Sequence, residues 1–163
     1  MCCKIVFDEC IVSRKSFSKL EKYHEEGKIE LKKGEKVQYE LKEWKGEKGK
    51  KYNEKLEKYD EIGNLSTFDD EGLKFPFSFF DEEDLKEIRK IILHGKDINQ
   101  IKPKNCSKLE RDVRNVYSAV RFKADFFVTD DRHIISKKKE IEKKFGLKIF
   151  CLDEMIKEMK KNS

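Results

Sequence analysis

Short apolar runs that end in polar or acidic residues alternate along the chain with longer stretches whose apolar residues recur every three or four positions. Residues 4–7 run into Asp8, residues 124–128 into Thr129-Asp130-Asp131, residues 147–152 form a third run and residues 28–31 a weaker fourth. Runs this short and this rich in β-branched and aromatic residues predict strands. Helical spacing predicts a helix over 14–26 (Phe17, Leu20, Tyr23, stop at Gly27), over 35–45 (Val37, Leu41, Trp44), over 52–62 (Tyr52, Leu56, Tyr59) and over 82–94 after the cap Asp81 (Leu85, Ile88, Ile92, stop at Gly95). Ser107-Lys108-Leu109-Glu110 reads as a capping box opening a helix with Leu109, Val113, Val116 and Val120 on one stripe. A further helix runs from Asp131 to Phe145 with Gly146 as its stop, and a last short one covers 153–160. Strand and helix in alternation predict a central parallel sheet of four to five strands covered by helices on both faces, a three-layer α/β/α fold. Residues 46–80 fit least well. Gly46, Gly49, Gly63, Gly72 and the strip Phe75-Pro76-Phe77-Ser78-Phe79-Phe80 predict an insertion with one helix, outside the shared core. The aromatic strip suits core packing or a dimer seam better than base stacking.

A length of 163 residues predicts one domain, 1–163, and leaves little room for a second. Charged residues reach 44% and hydrophobic ones only 37%, so the core has to draw on twelve Phe, five Tyr and one Trp. No apolar run approaches the ~20 residues of a membrane span, and the start turns acidic too soon for a signal peptide. Cys2, Cys3, Cys10, Cys106 and Cys151 are odd in number and contain no C-x-x-C pair, which predicts reduced thiols. The expectation is a soluble cytoplasmic protein without a membrane partner. A net charge of +5 from 38 basic and 33 acidic residues speaks mainly to solubility. Arginine is distributed more tellingly: of six, Arg111, Arg114, Arg121 and Arg132 fall in one stretch. They are candidate phosphate contacts, a reading that stands level with ordinary helix surface charge.

Candidate chemistry lies in the acids. Asp8 and the pair Asp130-Asp131 follow strands directly, and ligands of open parallel sheets bind at the carboxyl ends of the strands; acids at strand ends are also simply common where chain meets solvent. Glu40 stands three residues after Val37, and Asp112 three after Leu109, each on the flank of a buried stripe. Placement early in a helix, where the dipole favours negative charge, explains either one alone. Should Asp8, Glu40, Asp112 and Asp131 converge, they would raise one another's pKa unless a cation sat among them. Oxygen ligands favour Mg²⁺ or Mn²⁺, and such a site suits metal-dependent hydrolysis of a phosphodiester or phosphate ester.

The order Ile5-Val6-Phe7-Asp8, then Val37-Gln38-Tyr39-Glu40-Leu41, then Asp112 with Ala119, then Ala124-Asp125-Phe126-Phe127-Val128-Thr129-Asp130-Asp131-Arg132-His133-Ile134 resembles the PIN-domain ribonucleases, which include the VapC-type toxins. The resemblance spans most of the chain, and its most specific part is the stretch from Ala124 to Asp131. It implies a Mg²⁺- or Mn²⁺-dependent endoribonuclease with Asp8, Glu40, Asp112 and Asp131 as catalytic and metal-binding acids. It also implies Thr129 as the hydroxyl that fixes the cluster, Asp130 as an extra ligand and single-stranded or looped RNA as substrate. An antitoxin-like protein and a homodimer are the partners it brings with it. Two features depart from the family: Glu9 and Cys10 stand where a small polar residue often follows the first Asp, and the chain is longer than a minimal toxin. A dehalogenase-like phosphatase needs a second Asp where Cys10 stands, and a response-regulator receiver needs a different order of acids. The remaining alternative is a catalytically silent PIN-like module that binds RNA or a protein. His133 reads as an ion-pair residue at a helix start, or less readily as a proton donor.

Overall fold

The computed structural model describes residues 2–34, 46–60, 83–96 and 103–161. Four strands, β1 (Cys3–Phe7), β2 (Ile29–Lys33), β3 (Phe126–Val128) and β4 (Lys148–Phe150), form one all-parallel sheet in the order β2-β1-β3-β4. Seven helices accompany them among the described residues: α1 (Phe17–Glu25), α2 (Glu47–Leu56), α3 (Glu83–Ile92), α4 (Pro103–Arg121), α5 (Arg132–Ile135), α6 (Lys138–Phe145) and α7 (Leu152–Lys161).

The two-residue period of the strands sorts their side chains between two cores. Ile5 and Phe7 of β1, with Val128, Ile29 and Leu31, pack against Phe17, Leu20, Met155 and Met159 of α1 and α7. On the other face Val6, Phe127 and Ile149 pack against Ile88, Ile92, Val113, Val116, Ile134 and Ile141. Both cores are sealed, since Phe7, Phe17 and Phe127 have no exposed surface. The three-layer α/β/α expectation is therefore met.

Alternation also places the acids. Asp8 follows Phe7 and takes the side of Val6; Thr129 follows Val128 and takes the side of Phe127. Because Val6 pairs with Phe127 in register, Asp8 and Thr129 emerge next to each other at the carboxyl rim, facing α4. That geometry follows from two adjacent central strands of equal direction.

Four details differ from the sequence reading. The described part of the supposed insertion, 46–60, is not outside the core: Leu56 and Tyr59 are buried against Phe7 and Phe17, the Tyr59 ring lying 5.6 Å from Phe7. Its helix begins five residues earlier than expected and ends at Leu56. Helix α4 begins at Pro103, so the box at 107–110 lies inside it; proline at a first helical position has no N–H to lose and outranks the later box as a start. The helix expected from Asp131 to Phe145 is broken in two. Ser136 Oγ donates to the His133 carbonyl at 2.6 Å, competing with the helical ladder just where α5 stops. Gly146, with φ +72°, ends α6 in the left-handed conformation, as its position predicts. The predicted helix 35–45, the cap Asp81 and the strip 75–80 lie outside the described residues.

Among the described residues no helix is long and apolar enough to cross a membrane. Cys2, Cys3, Cys10 and Cys151 are free thiols.

Candidate metal centre at the carboxyl rim

Asp8 is 3% exposed and held from three sides. The Glu9 amide donates to Oδ1 at 2.9 Å, Asn115 Nδ2 donates to the same oxygen at 3.2 Å, and Thr129 Oγ1 donates to Oδ2 at 2.8 Å. Burial still pushes its carboxyl well above the usual range, with the neighbouring Glu9 acting in the same direction against the Thr129 hydroxyl. Thr129 works on both sides: its oxygen accepts from the Asp131 amide at 3.0 Å while its proton goes to Asp8. One hydroxyl therefore sets the spacing between the first acid and the last.

Asp131 caps α5. Its Oδ1 accepts from the His133 amide at 2.8 Å, and its Oδ2 lies 3.1 Å from Lys108 Nζ. Burial acts to raise this carboxyl, but the Lys108 ammonium and the His133 amide outweigh it and hold it below its ordinary value.

Asp112 is treated differently. It projects from the middle of α4, is 7% exposed, and its Oδ2 is buried without a hydrogen-bond partner. Burial raises its pKa to about 7, and the negative charges of Asp131 and Asp8 add to the effect, with Lys108 and Arg111 opposing. One turn further along the helix Asn115, 2% exposed, gives its amide N–H to Asp8 while its Oδ1 is likewise buried without a partner. Two acceptor oxygens on neighbouring turns of α4 are thus buried without a hydrogen-bond partner. A buried acceptor left unmade costs about 1–3 kcal/mol, more when charged, so such groups signal a missing partner.

The arrangement fits a hard divalent cation in donor type, since Asp8, Asp112, Asp131 and Asn115 offer oxygen alone. Among the described residues no group of three or more His, Cys, Asp or Glu side chains stands close enough together to hold a metal ion. Glu40, the fourth expected ligand, lies outside the described residues.

Asp130, read from sequence as an extra ligand, has other commitments. Arg14 Nη1 donates to its Oδ2 at 2.6 Å, and its Oδ1 accepts from the Leu152 amide at 3.2 Å, at the start of α7. Its own amide donates to Cys10 Sγ at 3.1 Å. It ties β3 to the segment after β1 and to α7. The Cys10 thiol, pushed up to about 12 by burial and by the adjacent Asp8, stays protonated there.

The four predicted arginines separate. Arg111 and Arg132 are the chain neighbours of Asp112 and Asp131, Arg111 half-buried and Arg132 exposed, whereas Arg114 is half-buried two residues on from Asp112. Arg121 ends α4, nine residues or ~13 Å beyond Asp112, toward the opposite rim where Asp125 bonds Lys4 at the start of the sheet. The structure does not bring it to the acids. His133 Nε2 is engaged with the Ile92 carbonyl at 2.9 Å, directed to the end of α3.

Sequence reasoning missed Lys108, Asn115 and Arg14. The first two carried a usable signal, for they stand at i−4 and i+3 from Asp112 and share its helix face. Arg14 carried none, because its contact crosses more than a hundred residues. Neither a family model nor a curated protein matches the chain.

Proposed function

We propose that the protein is a metal-dependent endoribonuclease of the PIN type, hydrolysing RNA phosphodiester bonds at the carboxyl rim of its sheet. The observation that carries the reading is the pair of buried, unpartnered oxygens, Asp112 Oδ2 and Asn115 Oδ1, beside Asp8. A buried oxygen without a donor calls for a water or an ion as its partner; Asn53 Oδ1 in α2 shares that condition, so the weight falls on the position of Asp112 and Asn115 beside Asp8.

Asp8, Asp112, Asp131 and Asn115 would hold Mg²⁺ or Mn²⁺, with Glu40 as the fourth acid. When bound, the ion supplies Lewis-acid activation of water and neutralises charge at the phosphate. Thr129 keeps Asp8 and Asp131 in fixed relation, so that little reorganisation is needed on binding. Arg111 and Arg132, the chain neighbours of Asp112 and Asp131, would take the phosphate backbone, while the extra-ligand role of Asp130 recedes behind its bond to Arg14. In the hydrolysis the water oxygen forms the new P–O bond, the ester P–O bond breaks, and the leaving oxygen takes up a proton. Single-stranded RNA suits a shallow rim, because its backbone can be drawn in and its bases splayed. An antitoxin-like partner and a homodimer accompany this proposal as the family's usual setting.

Cleavage of a labelled single-stranded RNA should stop in EDTA, return with Mn²⁺, and be absent in Asp112→Asn with an unchanged circular dichroism spectrum. Cutting that survives both treatments sinks the proposal. The silent RNA- or protein-binding module is favoured by one observation, that Lys108 and Arg14 already cover Asp131 and Asp130. RNA retention without cleavage at any metal concentration is the result that would select it.

A further inference from the structure

A cation already stands on the acidic rim, and it belongs to the chain. Lys108 Nζ lies 3.1 Å from Asp131 Oδ2, on a side chain 63% exposed. It sits one turn of α4 before Asp112 and feels the charge of Asp112 and Glu9 as well as Asp131.

The two oxygens of Asp131 differ in availability. Oδ1 accepts from the His133 amide and caps α5, so taking it would uncap a helix. Oδ2 is held by the Lys108 ammonium, through a single contact at the surface, which is the weak kind of ion pair. Arg14 offers the contrasting case. Its guanidinium reaches two carboxylates, Asp130 and Asp153, and Asp130 is fixed further by the Leu152 amide. Of the two cations whose charge reaches Asp112, Lys108 and Arg111, Lys108 is the one paired with Asp131 Oδ2 at the surface.

We propose that Lys108 is a tethered competitor of the divalent ion: its ammonium neutralises Asp131 while the centre is empty and must leave Oδ2 for the ion to bind. The inference rests on the metal-site reading above. The unpartnered Asp112 Oδ2 marks where the ion goes, and the Lys108 pair marks what it displaces. Tethering to α4 keeps the released ammonium at the rim.

The test is calorimetric titration of Mn²⁺ into the full chain, its Lys108→Met variant and a control, Lys139→Met, which removes an exposed lysine from α6. Lys108→Met should bind Mn²⁺ about three- to five-fold more tightly at low salt, with the gap closing in high KCl as screening weakens the pair. Lys139→Met should match the unmodified protein. Equal or weaker affinity in Lys108→Met, or an equal gain in Lys139→Met, overturns the competitor role and leaves the metal site standing. If neither the unmodified protein nor Lys108→Met takes up Mn²⁺, the metal reading and the competitor fall together.

Discussion

Glu21 and Asp112 are buried almost equally, at 6% and 7% exposure, and the fold treats them in opposite ways. Glu21 receives Lys55 Nζ at 2.5 Å, Lys58 Nζ at 3.1 Å and the Tyr59 hydroxyl at 2.9 Å. Burial acts to raise its carboxyl, but these three donors outweigh burial and hold it below the usual range. Asp112 has an oxygen that receives nothing, and its pKa climbs to about 7. The first acid is a completed tie between α1 and the segment that carries α2. The second lacks its partner. Burial of an acid therefore says little about function; the supply of donors around it says much more.

Catalysis should separate the two acids most widely. Asp112→Asn should lower metal-dependent RNA cleavage by ~10³-fold or more, the scale on which loss of a metal-ligand charge acts. Glu21→Gln should change it less than about two-fold, measured where the variant is folded. Comparable losses in both would erase the distinction between a structural acid and a functional one.

The pH dependence of stability should have opposite signs. The folded Asp112 carboxyl titrates near 7, above the unfolded value of about 3.9, so between these the native state binds more protons than the unfolded one. Its contribution is present below about pH 4 and is lost as pH rises toward about 7, at up to ~1.4 kcal/mol per pH unit. Thermal melts of the metal-free protein should fall across that window, fall more shallowly in Asp112→Asn, where the raised carboxyl of Asp8 remains, and recover with Mn²⁺. Glu21 runs the other way, its depressed pKa giving stability above the unfolded carboxylate range that is lost as pH falls through the folded value. Melts insensitive to Asp112→Asn would remove the uncompensated charge from the account.

Smaller effects sharpen the contrast. Glu21→Gln should cost about 1–2 kcal/mol at neutral pH by urea unfolding, since Tyr59 loses a charged acceptor while both lysines can return to water. Arg121→Ala, at the far end of α4, should leave RNA affinity unchanged within about two-fold, whereas Arg132→Ala should weaken it and shallow its salt dependence. Equal losses from both arginines would mean that RNA crosses the molecule by another path.

Much of this was legible before the structure. The strand-then-acid pattern located Asp8 and Asp131, and period-two alternation explains why Asp8 and Thr129 face α4 together. The stripe on α4 put Asp112 at a core edge. What could not be read were contacts set by topology. Arg14 meets Asp130 because β1 and β3 are neighbours in the sheet, and Tyr59 enters the core because its stretch, 46–60, packs over Phe7. Local signals also misled where a stronger one stood nearby, as Pro103 did ahead of the box at 107–110. The orphaned oxygens of Asp112 and Asn115 are a property of the whole packing, and no spacing rule predicts an absent donor.

The central claim is that Asp112 awaits a cation and Glu21 does not. Its most direct test is Mn²⁺ titration calorimetry at pH 7.5 on three proteins: unmodified, Glu21→Gln and Asp112→Asn. The account predicts saturable binding of equal affinity in the first two and binding lost or weakened at least ~10-fold in the third. Undiminished Mn²⁺ affinity in Asp112→Asn would contradict it.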